Sequence, residues 1–386
     1  MVPEDFDQHV FSTHVRFGDG VSGTLGQELY ALGLSRPAIL TQPRVARLPA
    51  CEAAIASLGT LPRFESTSIP PHSSVALIET IAEEIASFGA DCLVAIGGGS
   101  VADSAKAVAL LLAEGGSLKD HVTRFTPPSS VHIPRLTKTK LPIIALPTTA
   151  SGAEATSSFG VRDDATREKL MFWNRQIAAT TILIDPVLSQ STPLATLRFT
   201  AMNGIAHCLE ALYSRGRSPV SDSVALRALS LFQQALSARD QDEAAQRRLF
   251  MQAGHLGGLA LGLARSALHH AICHVVGART GLGHGLVNTV ILPHAIAFNE
   301  RDFTDRLSPA LDVVNRGSGA NYASVSAWLI DMAATHEFPT RLSALGVGVD
   351  DLEPIARQVM GERGLALNPR PVADWNEVHG ILRSAF

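Results

Sequence analysis

The sequence predicts an α/β domain with a parallel sheet, followed by an all-α domain. Up to about residue 188, short apolar runs alternate with helical patterns, and from Thr192 onward long helical periodicities replace them. Strands separated by helices are typical of parallel sheets with crossover connections. A length of 386 residues fits two domains. We therefore expect domains at residues 1–188 and 189–386.

The elements of the first half follow from near-continuous apolar runs, which are typical of strands buried on both faces. Candidate strands lie at 37–40 (PAIL), 92–97 (CLVAIG), 142–147 (PIIALP) and 181–185 (TILID). Between the first two, LIETIAEEIASF predicts an amphipathic helix that ends at Gly89. In the second half, helices are predicted at 200–213, 219–237, 243–262, 264–276, 287–299 and 322–344.

Composition excludes several classes of protein. Hydrophobic residues make up 46% of the chain, which is enough for a sizeable core. The net charge is −4, and the basic residues do not cluster in one stretch of the sequence. We therefore expect no nucleic-acid partner. The N-terminus lacks a signal-peptide pattern, and no run of about 18 uncharged apolar residues predicts a membrane span. Four cysteines without CxxC spacing predict reduced, buried thiols in a cytoplasmic protein.

A glycine-rich turn links the strand at 92–97 to a helix predicted to start at Ser100. Gly98 and Gly99 would let a ligand approach the backbone, and the helix start presents free N–H groups. Ser100 and Asp103 have the spacing of a capping box. The turn predicts a pyrophosphate site, although glycines needed only for packing would give the same pattern.

A second loop, LPTTASGAEATSSFG at 146–160, follows the strand at 142–147. Its hydroxyl side chains would lie at the carboxyl end of a parallel strand, where ligands bind in open α/β sheets. An ordinary polar loop is the alternative. Because both loops follow apolar strands, together they favour a nucleotide. The candidate hydroxyl residues include Thr148, Thr149, Thr156 and Ser158.

Histidines cluster in the second half, where seven of the fourteen fall between residues 207 and 294. His270 and His274 are four positions apart on a helix and share a face, as do Asn203 and His207. His284 follows in a glycine-flanked loop. Zinc is commonly held by three protein ligands plus water, and imidazole also suits iron, so these histidines could converge on an ion. Hydrogen-bonded core histidines are the alternative, which we prefer for His269 and His294.

Several motifs in this order resemble the iron-containing alcohol dehydrogenase superfamily, which includes dehydroquinate synthase. They are GGGSVADSAK (97–106), PTTASGAEAT (147–156), IDP (184–186), MNGIAHCLEAL (202–212), HHAICHVVG (269–277) and HGLVNTVILPH (284–294). The resemblance implies a dehydroquinate synthase-like fold, with NAD(P)H bound between an α/β and a helical domain. It also implies homodimers or larger assemblies and a small-molecule substrate.

The resemblance also implies roles for particular residues. Gly98, Gly99, Ser100 and Asp103 would lie near the pyrophosphate. The ribose and nicotinamide would be lined by Thr148, Thr149, Thr156, Ser158 and Lys169. Fe²⁺ or Zn²⁺ would be held by His207, His270 and His284, with Asn203 in place of the usual aspartate, and His274 would lie beside the nicotinamide.

Departures from the family pattern select a branch. Asn203, a loop one residue shorter, and the segments ALHHAICHVVG and MNGIAHCLEALYS look like the maleylacetate reductase branch. In contrast, His284-Gly285-x-x-Asn288 looks like the alcohol dehydrogenase branch. The leading hypothesis is therefore NAD(P)H-dependent reduction of maleylacetate to 3-oxoadipate, a step of aromatic-compound degradation. His207, His270, His274 and His284 would stabilise the developing charge, and pKa values near neutrality would let one act as general acid.

Two alternatives stay open at this point. One is a metal-dependent alcohol dehydrogenase or aldehyde reductase, in which the ion polarises oxygen. The other is a dinucleotide-binding protein without catalysis. A dicarboxylate substrate would need cationic partners, for which Arg175, Arg265 and Arg279 are available.

Cofactor choice depends on the residue after the second strand, where members selective for NAD often carry Asp. Gln42 stands there, and Arg44 is close in sequence. An acidic side chain would bind the ribose 2′-OH and repel a 2′-phosphate. We expect NADPH to be accepted alongside NADH.

Overall fold

The computed structural model describes residue 6 and residues 8–126, 130–237 and 242–386. Its strands are β1 His14–Phe17, β2 Pro37–Thr41, β3 Phe64–Ser66, β4 Cys92–Gly97, β5 Arg124–Thr126, β6 Ser130–His132, β7 Ile143–Pro147, β8 Ser158–Asp163, β9 Glu168–Trp173 and β10 Thr181–Ile184. The α-helices of the first half are α1 Leu25–Ala31, α2 Pro43–Ala46, α3 Pro49–Ala56, α4 Val75–Phe88 and α5 Gly99–Glu114.

A six-stranded sheet forms the first half, in the order β1-β10-β7-β4-β2-β3 with every pairing parallel. The four predicted strands are its central members, and the predicted fold class is confirmed. The helix expected before Gly89 is α4, and Gly89 ends it in the left-handed conformation at φ 75°. The edge strands β1 and β3 and the antiparallel hairpins β5–β6 and β8–β9 were not predicted.

Helices form the second half: α6 Leu194–Tyr213, α7 Pro219–Ser237, α8 Glu243–Ala264, α9 Leu268–Thr280, α10 His284–Ser318, α11 Val325–Thr335, α12 Leu352–Val359 and α13 Trp375–Ser384. The prediction of one helix over 322–344 is wrong, because α11 ends at Thr335. Glu337 adopts φ 54° and Pro339 cannot donate a helical hydrogen bond, so the chain turns there. The predicted division at residues 188 and 189 falls between β10 and α6 and stays our proposal.

One hydrophobic cluster joins the two halves, since it contains Ala105 and Val108 of α5 as well as Ile205 and Leu209 of α6. This shared core holds the carboxyl edge of the sheet next to the helices of the second half. Among the described residues no single helix is long and apolar enough to cross a membrane. Only α8 and α9 together meet that criterion, as a pair bent by 108°.

Candidate active site

Two loops meet at the carboxyl edge of the sheet because the strands before them, β4 and β7, are hydrogen-bonded neighbours. A Cβ atom on Gly98 would lie 3.0 Å from Thr149, and one on Gly99 would lie 3.3 Å from the hydroxyl of Ser151. Larger side chains would therefore force the loops apart. Glycine is therefore required at these two positions for packing between the loops, in addition to any role in binding a ligand.

The capping box predicted for Ser100 and Asp103 is wrong. Helix α5 begins at Gly99, and its N-cap Gly98 provides no side-chain hydrogen bond. Ser100 instead donates to the carbonyl of Pro71, and the half-buried carboxyl group of Asp103 accepts from the amide of Gly160 at 3.2 Å. Strand β8 thus draws Asp103 inward, and the first turn of α5 keeps free N–H groups. This arrangement fits a pyrophosphate.

A cavity of about 470 Å³ brings the nucleotide loops and the histidines together. Nine of the ten predicted cofactor residues line it: Gln42, Gly98, Gly99, Ser100, Asp103, Thr149, Thr156, Ser158 and Lys169. The exception is Thr148, which is buried and accepts from Thr192 through its carbonyl at 2.8 Å. The other wall carries Asn203, His207, His270, His274 and His284.

Three helices position the histidines. Asn203 and His207 lie on α6, His270 and His274 on α9, and His284 is the first residue of α10. The ring centroids of His207 and His270 are 4.9 Å apart, and those of His270 and His284 are 5.8 Å apart. His274 and His284 are stacked at 5.8 Å. The sequence-predicted set therefore lies in one cluster.

Asn203 is the hub of this cluster. Its side-chain nitrogen donates to the carbonyl of Ser151 at 3.2 Å and lies 3.1 Å from Nε2 of His207. Its oxygen accepts from Asn288 at 2.6 Å and lies 3.2 Å from Nε2 of His270. A carbonyl can only accept, so Ser151 fixes the orientation of the amide. His207 therefore accepts through Nε2, and His270 donates through Nε2.

Glu210, which the sequence analysis did not single out, completes the arrangement. It follows His207 by three positions on α6, which places it on the same helix face. Its carboxylate lies 2.6 Å from Nδ1 of His270. Burial opposes ionisation of Glu210, but the charge and hydrogen bond of His270 hold its pKa below the usual value. Both ring nitrogens of His270 therefore face acceptors.

These residues do not fit a tightly held divalent ion. A metal ligand needs a free lone pair, and Nε2 of both His207 and His270 is engaged by Asn203. Within the described ranges, the histidine, cysteine and acidic side chains bring three donor atoms within 4.8 Å of one another only at Glu210, His269 and His270. Asn203 also lacks the negative charge of an aspartate.

The interpretation that the histidines titrate near neutrality is wrong for His207, His274 and His284. Burial, together with the positive charge of Lys169, holds the pKa of His274 and His284 well below 6.5, and burial does the same for His207. These three rings are neutral at pH 7. They can accept or donate hydrogen bonds, but they hold no extra proton to give.

A second acidic residue supplies a group that does titrate near neutrality. Glu362 lies 3.3 Å from Nδ1 of His274, and burial raises the pKa of this carboxyl to about 7. Its neighbour Arg363 lines the cavity. Glu362 is the N-cap of the short 3-10 helix Arg363–Leu367, and Arg363 is the first residue of that helix. Because the helix is so short, no helical or strand periodicity in the sequence indicated either residue.

The cations of the cavity wall differ from those named from sequence. Arg175, Arg265 and Arg279 do not line it, whereas Arg44, Arg162 and Arg363 do. All four cysteines are buried and free, as predicted. Burial raises the pKa of Cys51 to about 11 and raises the pKa values of the other three thiols as well, so none is a thiolate nucleophile at neutral pH.

Comparisons with known proteins agree with this architecture. Residues 12–186 match the model of the iron-containing alcohol dehydrogenase family, and residues 198–386 match the C-terminal model of the Fe-containing alcohol dehydrogenase family. A maleylacetate reductase of Burkholderia cepacia is 31% identical over 382 residues, covering 96% of this chain and 95% of the relative. An NAD-dependent methanol dehydrogenase of Bacillus methanolicus is 29% identical over 77% of each chain.

A solved structure extends the similarity to three dimensions. The crystal structure of maleylacetate reductase from Rhizobium sp. strain MTP-10005 superimposes with a TM-score of 0.82 at 28% identity. The match covers 100% of this chain and 99% of that one. The chain therefore belongs to the iron-containing alcohol dehydrogenase family and is an NAD(P)-dependent oxidoreductase acting on a small molecule.

Proposed function

We propose that the protein reduces the activated C=C bond of maleylacetate with NAD(P)H, giving 3-oxoadipate in the cytoplasm as a step of aromatic-compound degradation. The observation that carries this proposal is the amide of Asn203, which engages Nε2 of His207 and of His270 where a divalent ion would need free lone pairs. An enolate can be stabilised by hydrogen-bond donors alone. The maleylacetate reductases among the relatives support the substrate. We further propose that the chain works as a homodimer or a larger assembly, as the family resemblance implies.

Conjugate reduction needs a hydride, a site for negative charge and a proton. When bound, NAD(P)H supplies the hydride. The double-bond carbon farther from the keto group accepts it, and the π electrons move to the keto oxygen. His270, whose Nδ1 is held by Glu210, stabilises that oxygen through the proton on Nε2 once the substrate displaces Asn203.

The proton for the second carbon comes from Glu362 through His274. With a pKa of about 7, Glu362 keeps its proton in much of the population at neutral pH. Nδ1 of His274 takes that proton as Nε2 releases its own to the carbon. The neutral imidazole thus changes tautomer without holding extra charge. The product gains one hydride and one proton, which balances the reaction.

A metal-dependent alcohol dehydrogenase or aldehyde reductase is the second candidate. His207, His270 and His284 face one cavity, and the methanol dehydrogenase relative supports this class. Rotation of Asn203 away from His207 and His270 would free their nitrogens for Fe²⁺ or Zn²⁺. The two candidates differ in whether turnover needs an ion.

A substrate comparison tests the proposal. Oxidation of NADH and of NADPH is followed with maleylacetate, propanal and butanal at equal concentrations. We expect turnover with maleylacetate and little or none with the aldehydes. Good activity on the aldehydes without turnover of maleylacetate would reject the proposal and favour the second candidate.

A further inference from the structure

Among the described residues, three cations of the cavity wall form no hydrogen bond or ion pair: Arg44, which is exposed, and Lys169 and Arg363, which are half-buried. Lys169 comes from β9, and Arg363 opens the segment Arg363–Leu367. Neither side chain forms a hydrogen bond or an ion pair with any described residue. The family resemblance places Lys169 beside the cofactor, whereas it gives Arg363 no role. Arg363 is therefore the charge that needs an explanation.

The surroundings of Arg363 leave its guanidinium unsatisfied. Its neighbour Glu362 turns to His274, with 3.3 Å between Oε2 and Nδ1, and forms no ion pair with Arg363. Burial lowers the pKa of Arg363 to about 10; the negative charge of Glu362 opposes this change, and the like charge of Arg265 adds to it. The side chain still carries its charge at neutral pH. A half-buried cation without a hydrogen-bond partner is costly, and a ligand anion would offset that cost.

The other arginines of the cavity wall have different settings. Arg162 pairs with Asp164 at 3.3 Å. Arg44 lies on α2, two residues after Gln42 and directly beyond β2, in the nucleotide-binding half of the chain. The pKa of His274 is lowered by burial first and then by Lys169, His270 and Arg363. Of the three arginines that line the cavity, Arg363 is the one whose charge lowers this pKa. Its charge therefore lies close to the proposed proton donor.

We propose that Arg363 binds a carboxylate of the substrate and so determines the preference for acidic substrates over neutral aldehydes. The proposal rests on the proposed function for the hydride chemistry, but it concerns binding alone. A guanidinium matches a carboxylate with two parallel hydrogen bonds, which fixes position as well as charge. An aldehyde with an alkyl chain has no carboxylate and would leave the guanidinium of Arg363 without a hydrogen-bond acceptor. Arg363 is thus the residue that holds the conjugated substrate beside His274.

Binding of an unreactive dicarboxylate tests this without turnover. Adipate, which has six carbons like maleylacetate, and its neutral diamide adipamide are titrated by calorimetry into enzyme saturated with NAD⁺. The variants are Arg363→Met, which removes the charge at similar length, and Arg363→Lys, which keeps the charge but loses the fork. Arg279→Met is the matched control, because Arg279 bonds Gln358 outside this cavity.

We expect the wild type and Arg279→Met to bind adipate and not adipamide. Loss of a charge-assisted interaction lowers affinity by roughly tenfold to a hundredfold, so Arg363→Met should bind adipate that much more weakly. Arg363→Lys should be intermediate. In kinetics, KM for maleylacetate should rise in Arg363→Met while KM for NADH stays unchanged. Thermal melting of each variant checks that it is folded.

Two results would overturn the proposal: wild-type affinity of Arg363→Met for adipate, or equal affinity of the wild type for adipate and adipamide. The proposed function fails separately. If the wild type does not reduce maleylacetate, yet Arg363→Met loses adipate binding, then Arg363 is a carboxylate site in an enzyme for another acid. If the wild type reduces maleylacetate and Arg363→Met keeps its KM, the function stands and the role of Arg363 is rejected.

Discussion

The side-chain oxygen of Asn203 lies 3.2 Å from Nε2 of His270. On its other side, His270 is held by Glu210 at 2.6 Å, so the ring has an acceptor at each nitrogen. The amide thus places a proton where an ion would need a lone pair. This relationship separates a reductase that uses hydrogen-bond donors from a dehydrogenase that uses a metal.

Asn203→Asp should convert the cluster into a metal site. The substitution removes the donor to His207 and places a carboxylate oxygen against the carbonyl of Ser151, which a cation would relieve. We expect stoichiometric Fe²⁺ or Zn²⁺ after dialysis, measured by elemental analysis. Without metal, loss of these hydrogen bonds should cost about 1–3 kcal/mol of unfolding free energy.

The control for this change is Asn315→Asp, because Asn315 bonds Tyr322 away from the histidines. It should leave the metal content unchanged. Equal metal content in wild type and Asn203→Asp would show that the histidines and residue 203 do not converge on an ion.

Glu362→Gln should remove a pH dependence. The pKa of Glu362 is raised by burial to about 7, so its proton is present below that pH and lost above it. The kcat of the wild type should therefore fall as pH rises through about 7. The variant should lose about 100-fold in kcat, a typical size for general acid catalysis, and its profile should be flat between pH 6 and 8. Glu353→Gln, at an exposed ion pair with Arg357, should behave as wild type. A falling limb that persists in Glu362→Gln would contradict the relay.

Gln42→Asp should shift cofactor preference. Gln42 and Arg44 both line the cavity, in keeping with a site near the ribose. A carboxylate there would repel a 2′-phosphate. We expect KM for NADPH to rise about tenfold or more, since like-charge contacts cost at least about 1.4 kcal/mol. KM for NADH should fall or stay constant. A strong preference of the wild type for NADH would count against the role of Gln42.

Gly258→Ala should disturb the second nucleotide loop. A Cβ atom on Gly258 would collide with the backbone of Gly152, which adopts φ 69° and seats that loop against α8. Overpacking of this kind costs about 1–3 kcal/mol. We expect a lower melting temperature and a raised KM for NADH. Gly380→Ala, which adds a Cβ atom into open space on α13, should not lower the melting temperature, and a similar loss in both variants would contradict the packing account.

The central strands and the long helices could be predicted from local patterns, since β2, β4, β7 and β10 are apolar throughout. Edge strands could not, because β1 and β3 are short and partly exposed. Strand β8 did leave a signal, since buried Phe159 and Val161 alternate with partly exposed residues. That signal was hidden in a stretch interpreted as a polar loop.

For the site, spacing on single helices correctly grouped Asn203 with His207 and His270 with His274. Their hydrogen-bond partners lie on other elements, as Ser151 and Glu362 do, and no local pattern encodes such pairs. Burial also keeps His207, His274 and His284 neutral, and burial depends on tertiary packing that no local sequence pattern encodes. Tertiary contacts therefore account for what the sequence left open.

The most direct test of the central claim is turnover of maleylacetate by enzyme stripped of metal with a chelator and verified by elemental analysis. With NADH or NADPH as donor, the account predicts that stripped enzyme keeps the kcat of the untreated enzyme and that added Fe²⁺ or Zn²⁺ does not raise it. Loss of turnover on stripping, with recovery on addition of one equivalent of either ion, would contradict it.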